Sequence, residues 1–234
     1  MTDNITEEKV ITKEKRLVVP GELIGEGIAG FGCYTEGGKV FAKLLGLLNQ
    51  KDKLYFIVPL NGFYNPKRGD GIIGRIEDIA FSHWIVNINS PYRGILPLNE
   101  AVTEFVDLTK TDITKYFDYD DIIFAEVTNV TKTKSVRLSM KNRKCRKLYG
   151  GRLIKVTPAK VPRIIGKSGS MVEMIKEKTN CQIVVGQNGI VWIKGDKEAL
   201  AVDAIQRIEE NSHISGLTDK IKQMLEAAEG DKND

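Results

Sequence analysis

The sequence predicts a multi-domain chain of β and α+β class: a small N-terminal β domain, a five-stranded barrel, and a β-α-α-β-β-α unit with a further C-terminal helix. Three observations carry this. Short apolar runs punctuated by glycine, such as VFAKLLGLL and KLYFIVPL, fill the first part of the chain, and turn-bounded runs of that length read as strands. Five more strand-like runs follow, IIGRIEDIA, HWIVNINS, YRGILPL, IIFAEVTNV and SVRLSMKN, with the helical or irregular stretch NEAVTEFVDLTKTDITKYF between the third and fourth. From GRLIKVTP to DKEALAVDAIQRIEENS the pattern then alternates between strand and helix periods. The expected divisions are residues 1–66, 67–145, 146–215 and 216–234.

Within the last of these patterns, VPRIIG reads as a short helix, SMVEMIKEKTN as a second, and CQIVV and IVWIKG as a hairpin around GQNG. Asn188-Gly189 between apolar strands is the local hairpin signal. Asp196 stands where the N-cap of the final helix is expected, with Ala199 in place of the acid of a full capping box. LTDKIKQMLEAA then reads as an amphipathic helix before a polar tail expected to fray.

Composition narrows the chemistry. Apolar content of 41% with 28% charged residues fits a folded, soluble chain. The opening MTDNITEEKVITKEK has no apolar core and reads as neither signal nor transit peptide. No apolar run approaches the roughly 20 residues that cross a bilayer, so a cytoplasmic protein without a membrane partner is expected. Cys33, Cys145 and Cys181 form no C-x-x-C pair, and His83 and His213 are the two histidines. Neither a disulfide framework, a metal site nor a cofactor is expected from so sparse a set.

The net charge of +4 conceals an asymmetry. Residues 143–180 carry 11 Lys and Arg against 2 Asp and Glu, whereas residues 1–66 carry 8 against 8. No acid occurs between Val127 and Ser170. A basic block of this kind is the footprint of a polyanion binder or a solvated face. The balanced first segment suits packing against protein.

The stretch VPRIIGKSGSMVEMIKEK has the apolar spacing of a helix broken by two glycines, and glycine is costly inside a helix. Something there needs bare backbone. A nucleotide-binding Walker loop would need a glycine where Val161 stands, after a strand rather than a helix opening on Pro162. A G-x-x-G loop between two helices of a β-α-α-β-β-α unit is instead the arrangement of a KH domain, which holds single-stranded nucleic acid. Gly166 and Gly169 would let the strand approach, Lys167 would add charge, and Ser168 and Arg163 flank it. Ile164, Ile165, Met174 and Ile175 would wall the bases. A plain helix-turn-helix capped by glycine is the bland alternative.

Five strands with an insertion after the third is the pattern of an OB-type barrel. Gly69-Asp70-Gly71 entering I-x-G-x-I, the strand holding Trp84, and a second entry at Tyr119–Ile123 resemble the S1-type RNA-binding domain. Bases stack on aromatic or Arg planes without sequence readout, so Arg75, His83, Tyr92, Arg93, Lys132, Lys134 and Arg137 are the RNA candidates of this segment. Alternation turns Trp84 inward and His83 outward, while Tyr92 after Pro91 could simply pack on the barrel. A catalytic reading would rest on Asp118, Asp120 and Asp121, which at a strand entry also read as solvated turn residues.

The order of parts, a β segment with VVPGELIGEG, an S1-type domain opening YNPKRGDGIIGRI, then one KH domain with IIGKSG, resembles the S1- and KH-bearing RNA-binding cap subunit of the archaeal exosome across nearly the whole chain. The other archaeal cap protein carries a zinc ribbon, which these cysteines do not supply. A transcription factor with S1 and two KH domains is the alternative, although one G-x-x-G loop lies between helices here. The resemblance implies a non-catalytic subunit, three copies of which sit on a hexameric ring of two phosphorolytic-type subunits. It further implies that the N-terminal segment docks on the ring, and that single-stranded, poly(A)-rich RNA is led 3′ end first into it.

Overall fold

A computed structural model describes residues 16–60, 62–102, 104, 106, 112–212 and 216–230, the last three without their side chains. His213, the polar tail from 231, residues 1–15 and part of the stretch after the third barrel strand lie outside the described residues. The chain divides into two units, residues 1–61 and 62–234.

The first unit contains β1 (Leu17–Val18), β2 (Leu23–Glu26), β3 (Ile28–Ala29), β4 (Cys33–Glu36), β5 (Lys39–Ala42), β6 (Gly46–Lys51) and β7 (Leu54–Pro59). They form two sheets, ordered β1-β6-β7-β3 and β2-β5-β4. Val18, Ala42 and Ile57 make a small core, joined by Ile24, Leu44 and Leu48. So short a core leaves many apolar side chains outside, among them Ile28, Phe31, Leu45 and Val58.

The second unit opens with a barrel. Its strands are β8 (Gly71–Ile79), β9 (His83–Asn87), β10 (Arg93–Pro97), β11 (Ile122–Val130) and β12 (Val136–Ser139), with helix α1 (Leu98–Ala101) after β10. β12 pairs parallel to β10, with Gly94 opposite Val136, and antiparallel to β11, with Val127 opposite Leu138, which closes the ring. Strict alternation along β9 puts Trp84, Val86 and Ile88 in the core. The Trp84 indole donates to the Phe117 carbonyl at 2.9 Å and meets the Phe117 ring edge-on, so the end of the insertion, with Ile113, packs into the barrel core. Tyr64 also packs in this core and donates its hydroxyl to Asp70 at 2.7 Å, so barrel packing begins ahead of residue 67. β13 (Arg146–Leu148) extends the sheet beside β11.

The chain then forms β14 (Arg152–Lys155), α2 (Val161–Ile165), α3 (Ser170–Thr179), β15 (Cys181–Val185), β16 (Ile190–Gly195), α4 (Glu198–Glu210) and α5 (Leu217–Gly230). The sheet order is β14-β16-β15, antiparallel throughout. Met171, Val172, Ile175 and Thr179 of α3, with Ala201, Ala204, Ile205 and Ile208 of α4, recur at helical spacing and are buried. Leu217, Ile221 and Leu225 bring α5 onto the same core. The cap expected at Asp196 is not there. Helix α4 starts one residue later than that would require, with Lys197 at its N-cap position and no side-chain cap bond, and Asp196 instead accepts from Asn180 at 2.7 Å.

The sheet's other face does not meet water. Leu153, Val184, Ile190 and Trp192 pack against Ile73, Ile122, Phe124 and Leu148 of the barrel. The tip of the β15–β16 hairpin fixes this joint. The β8–β9 ladder runs no further than Arg75 opposite Asn87, which leaves Ile73 and Ile88 with unpaired main-chain groups where the strands part. Asn188, wholly buried, fills that gap. Its Nδ2 donates to the carbonyls of Ile73 at 2.7 Å and Ile88 at 2.9 Å, and its Oδ1 accepts from the Ile73 N–H at 3.3 Å. Gln187 N–H adds a bond to the Gly71 carbonyl at 2.8 Å. Gly189 follows at φ +77°, where a Cβ would lie 2.3 Å from the Val156 carbonyl oxygen.

Replacing Asn188 by Ala strands one buried donor and two buried acceptors, so unfolding by denaturant should show a loss of roughly 2 to 4 kcal/mol. Asn188→Asp, which aims a carboxylate at two carbonyls, should lose more than Asn188→Ala.

Candidate nucleic-acid interface

The outward side chains of the barrel form the first candidate surface. Arg93 on β10 and Arg75 on β8 both stand opposite Asn87 on the intervening β9. Adjacent strands lie about 4.8 Å apart, so the three make one row across the sheet. Glu77 lies within it, accepting from Asn87 at 2.6 Å and pairing with Arg93 at 3.3 Å. The next row sets Ile85 beside Ile95 and Ile95 beside Arg137. His83 faces the same way, opposite Pro97, but four residues along β9 from Asn87, roughly 13 Å at the usual rise. An apolar centre with cations along one border suits bases on the sheet and phosphates beside it.

Three of the barrel candidates sit at that border rather than on the sheet. Tyr92 is half-buried against the barrel core, and Lys134 lies 5.7 Å from its ring centre. The ring thus packs in part on the barrel, as its place after Pro91 allowed, with its remaining surface beside Lys134. Lys134 takes a left-handed conformation, φ +65°, and donates to Asn65 at 3.4 Å. Lys132 is exposed in the same turn. The sequence reading missed Ile85, Asn87 and Ile95, although the alternation that turned Trp84 inward already turned Ile85 and Asn87 out. It also missed Phe81, 76% exposed in the β8–β9 turn beside His83.

The G-x-x-G loop forms a second surface, in the helical layer. Gly166, at φ +77°, is approached by its own chain: a Cβ there would lie 2.7 Å from that of Met171. Gly169, at φ +89°, faces open space, and Lys167 and Ser168 are exposed, Ser168 at φ +54°. The first glycine thus serves the fold, and the second leaves the start of α3 uncovered. Arg163 donates to the Ser212 carbonyl at 2.8 Å, which ties α2 to the end of α4. Ile164 and Ile175 are wholly buried in the domain core and cannot wall a base; Ile165 and Met174 are partly exposed and can. The barrel packs on the opposite face of this domain's sheet, so the two candidate surfaces are not gathered into one cleft.

The carboxylates at the β11 entry are engaged within their turn or in ion pairs. Asp118 accepts from the Tyr119 N–H at 2.8 Å, Asp121 accepts from the Asp118 N–H at 2.7 Å and pairs with Lys147, and Asp120 sits 3.7 Å from Arg75. Among the described residues no three His, Cys, Asp or Glu side chains gather as a metal site. Burial raises the Cys33 thiol, and burial with nearby Glu126 pushes Cys145 up to about 11, the opposite of an activated nucleophile. Among the described residues no helix is long and apolar enough to cross a membrane.

Comparison with known proteins agrees with this architecture. Residues 15–61 match the family described as the exosome RNA binding protein RRP4 N-terminal domain, residues 63–129 the RRP4 S1 domain, and residues 151–199 a KH domain. Exosome complex component Rrp4 of Methanobrevibacter smithii is 46% identical over 94% of this chain and 74% of its own length. That of Thermococcus kodakarensis is 42% identical over 93% of this chain and 88% of its own. A crystal structure provisionally described as an exosome complex RNA-binding protein superposes with a TM-score of 0.65 at 34% identity, covering 71% of this chain and 97% of that one. On identity and coverage together, this chain belongs to the Rrp4 family of exosome components.

Proposed function

We propose that this chain is the non-catalytic RNA-binding cap subunit of an archaeal exosome, which captures single-stranded RNA and leads its 3′ end to a hexameric ring of two phosphorolytic-type subunits. The observation that carries the reading is the outer barrel face: Ile85 and Ile95 flanked by Arg75, Arg93 and Arg137, in a chain whose relatives are exosome components. Stacking on such a face reads no sequence, which suits capture of unstructured, poly(A)-rich strands.

The G-x-x-G loop acts as an added phosphate contact through Lys167, Ser168 and the first N–H groups of α3. Lys132 and His83 extend the barrel path at its two ends. The N-terminal unit docks on the ring, three copies to a cap, using apolar side chains such as Phe31 and Val58 that its small core leaves outside. The cytoplasm is the compartment in which this assembly works.

Replacing Arg93 and Arg137 together by Ala should weaken binding of unstructured RNA without altering the melting temperature, since both side chains are exposed. Each phosphate contact contributes about 0.7 to the log-log salt slope for single strands. Fluorescence titrations across a salt series should therefore show the slope falling by about 1.4 if each arginine meets one phosphate.

The purified chain, given phosphate or magnesium, should not shorten RNA. Added to a ring of exosome catalytic subunits, it should lower the RNA concentration needed for half-maximal decay and leave the saturated rate nearly unchanged, because tethering supplies local concentration rather than chemistry. Shortening by the chain alone, in preparations free of other nucleases, would remove the cap reading.

A further inference from the structure

The row Arg93, Asn87, Arg75 leads to a cleft of about 540 Å³ between the barrel and the KH sheet, within the roughly 300 to 1,000 Å³ of small-molecule sites. Ile122, Leu153 and Ile190 give it an apolar wall, and Asn87, Tyr119 and Lys155 also line it.

Its other wall is main chain. β14 is an outer strand, paired to β16 alone. The Val156 N–H bonds to the Gly189 carbonyl at 2.8 Å, in register with the β14–β16 ladder. Bonded and non-bonded pairs alternate along an antiparallel ladder, so Ile154 points its N–H and C=O at β16, while Leu153 and Lys155 turn theirs to the open edge. An apolar slot edged with an unpaired donor and acceptor fits a flat ring that carries heteroatoms on its rim.

Charge decides which part of a strand enters. Glu77 and Asp120 lie on the cleft, paired with Arg93 and Arg75. Within the cleft these two carboxylates balance Arg75 and Lys155, so it offers no net positive charge to a phosphate, while Arg93 stands outside it on the barrel face. We propose that the cleft takes one unpaired nucleobase of the RNA lying on β9 and β10, with the base edge bonded to the exposed main chain of β14. The inference rests on the RNA-binding reading above.

Proline at an open strand edge removes an outward N–H without breaking the ladder. Lys155→Pro and Lys155→Ala both lose the ammonium group, but only the proline variant loses the edge donor and puts ring carbon in the slot. With a short unstructured oligoribonucleotide and the full chain, Lys155→Pro should bind about tenfold more weakly than Lys155→Ala, the size of one lost base contact. Equal affinities would overturn the proposal and leave the RNA-binding reading standing, whereas a wild-type chain that binds no RNA would overturn both. RNA affinity retained by Lys155→Pro, with loss of co-purifying exosome subunits, would assign the edge to a protein strand and overturn it too. If the proline variant does not fold, the wild-type chain and an oligomer containing 4-thiouridine decide: photo-adducts at Tyr119 or within Arg152–Lys155 are expected, and adducts confined to other segments would overturn it.

Discussion

The second unit depends on one carboxamide. A barrel and an α+β domain could be joined as beads on a flexible strand, but Asn188 is inserted where β8 and β9 part and completes the hydrogen bonding of both. A fully satisfied buried amide is geometrically demanding, so it fixes register as well as adhesion. With Asn188 in place, the apolar face of the KH sheet, Leu153, Val184 and Trp192, lands on Ile73, Phe124 and Leu148. The seam, the cleft beside it and the orientation of the G-x-x-G loop relative to the barrel all follow.

That rigidity bears on function. A strand crossing β9 and β10 meets apolar side chains flanked by arginines, and the arginines nearest the seam are tempered by Glu77 and Asp120. Exposed ion pairs of this kind are weak and screened by salt, so they leave both arginines open to an incoming anion.

Much of the fold was legible because alternation is a local signal. Trp84, Val86 and Ile88 announced which face of β9 was inward, and the apolar spacing in SMVEMIKEKT announced α3. The docking of the β15–β16 turn was not legible. Asn188-Gly189 reads as a hairpin turn, which it is, and nothing local tells that its amide bonds to a strand 115 residues away. The cap misassigned to Asp196 has a similar origin, since Asn180 claims that carboxylate from outside the helix. In the candidate site, alternation turned Arg75 and Arg93 outward, whereas Ile164 and Ile175, read as walls for the bases, are claimed by the domain core, and Tyr92 packs partly on the barrel. The selection favoured charge and aromaticity, which is why Ile85 and Ile95 were passed over.

Hydroxyl-radical footprinting of the full chain, with and without a saturating unstructured oligoribonucleotide, tests most directly whether RNA runs across the outer barrel face. Phe81, His83, Ile85 and Ile95 should lose reactivity together on binding, while side chains on the outer surface of α4 and α5 keep theirs. Protection confined to the α2–α3 loop, with Phe81 and Ile85 as reactive as in the free protein, would contradict it.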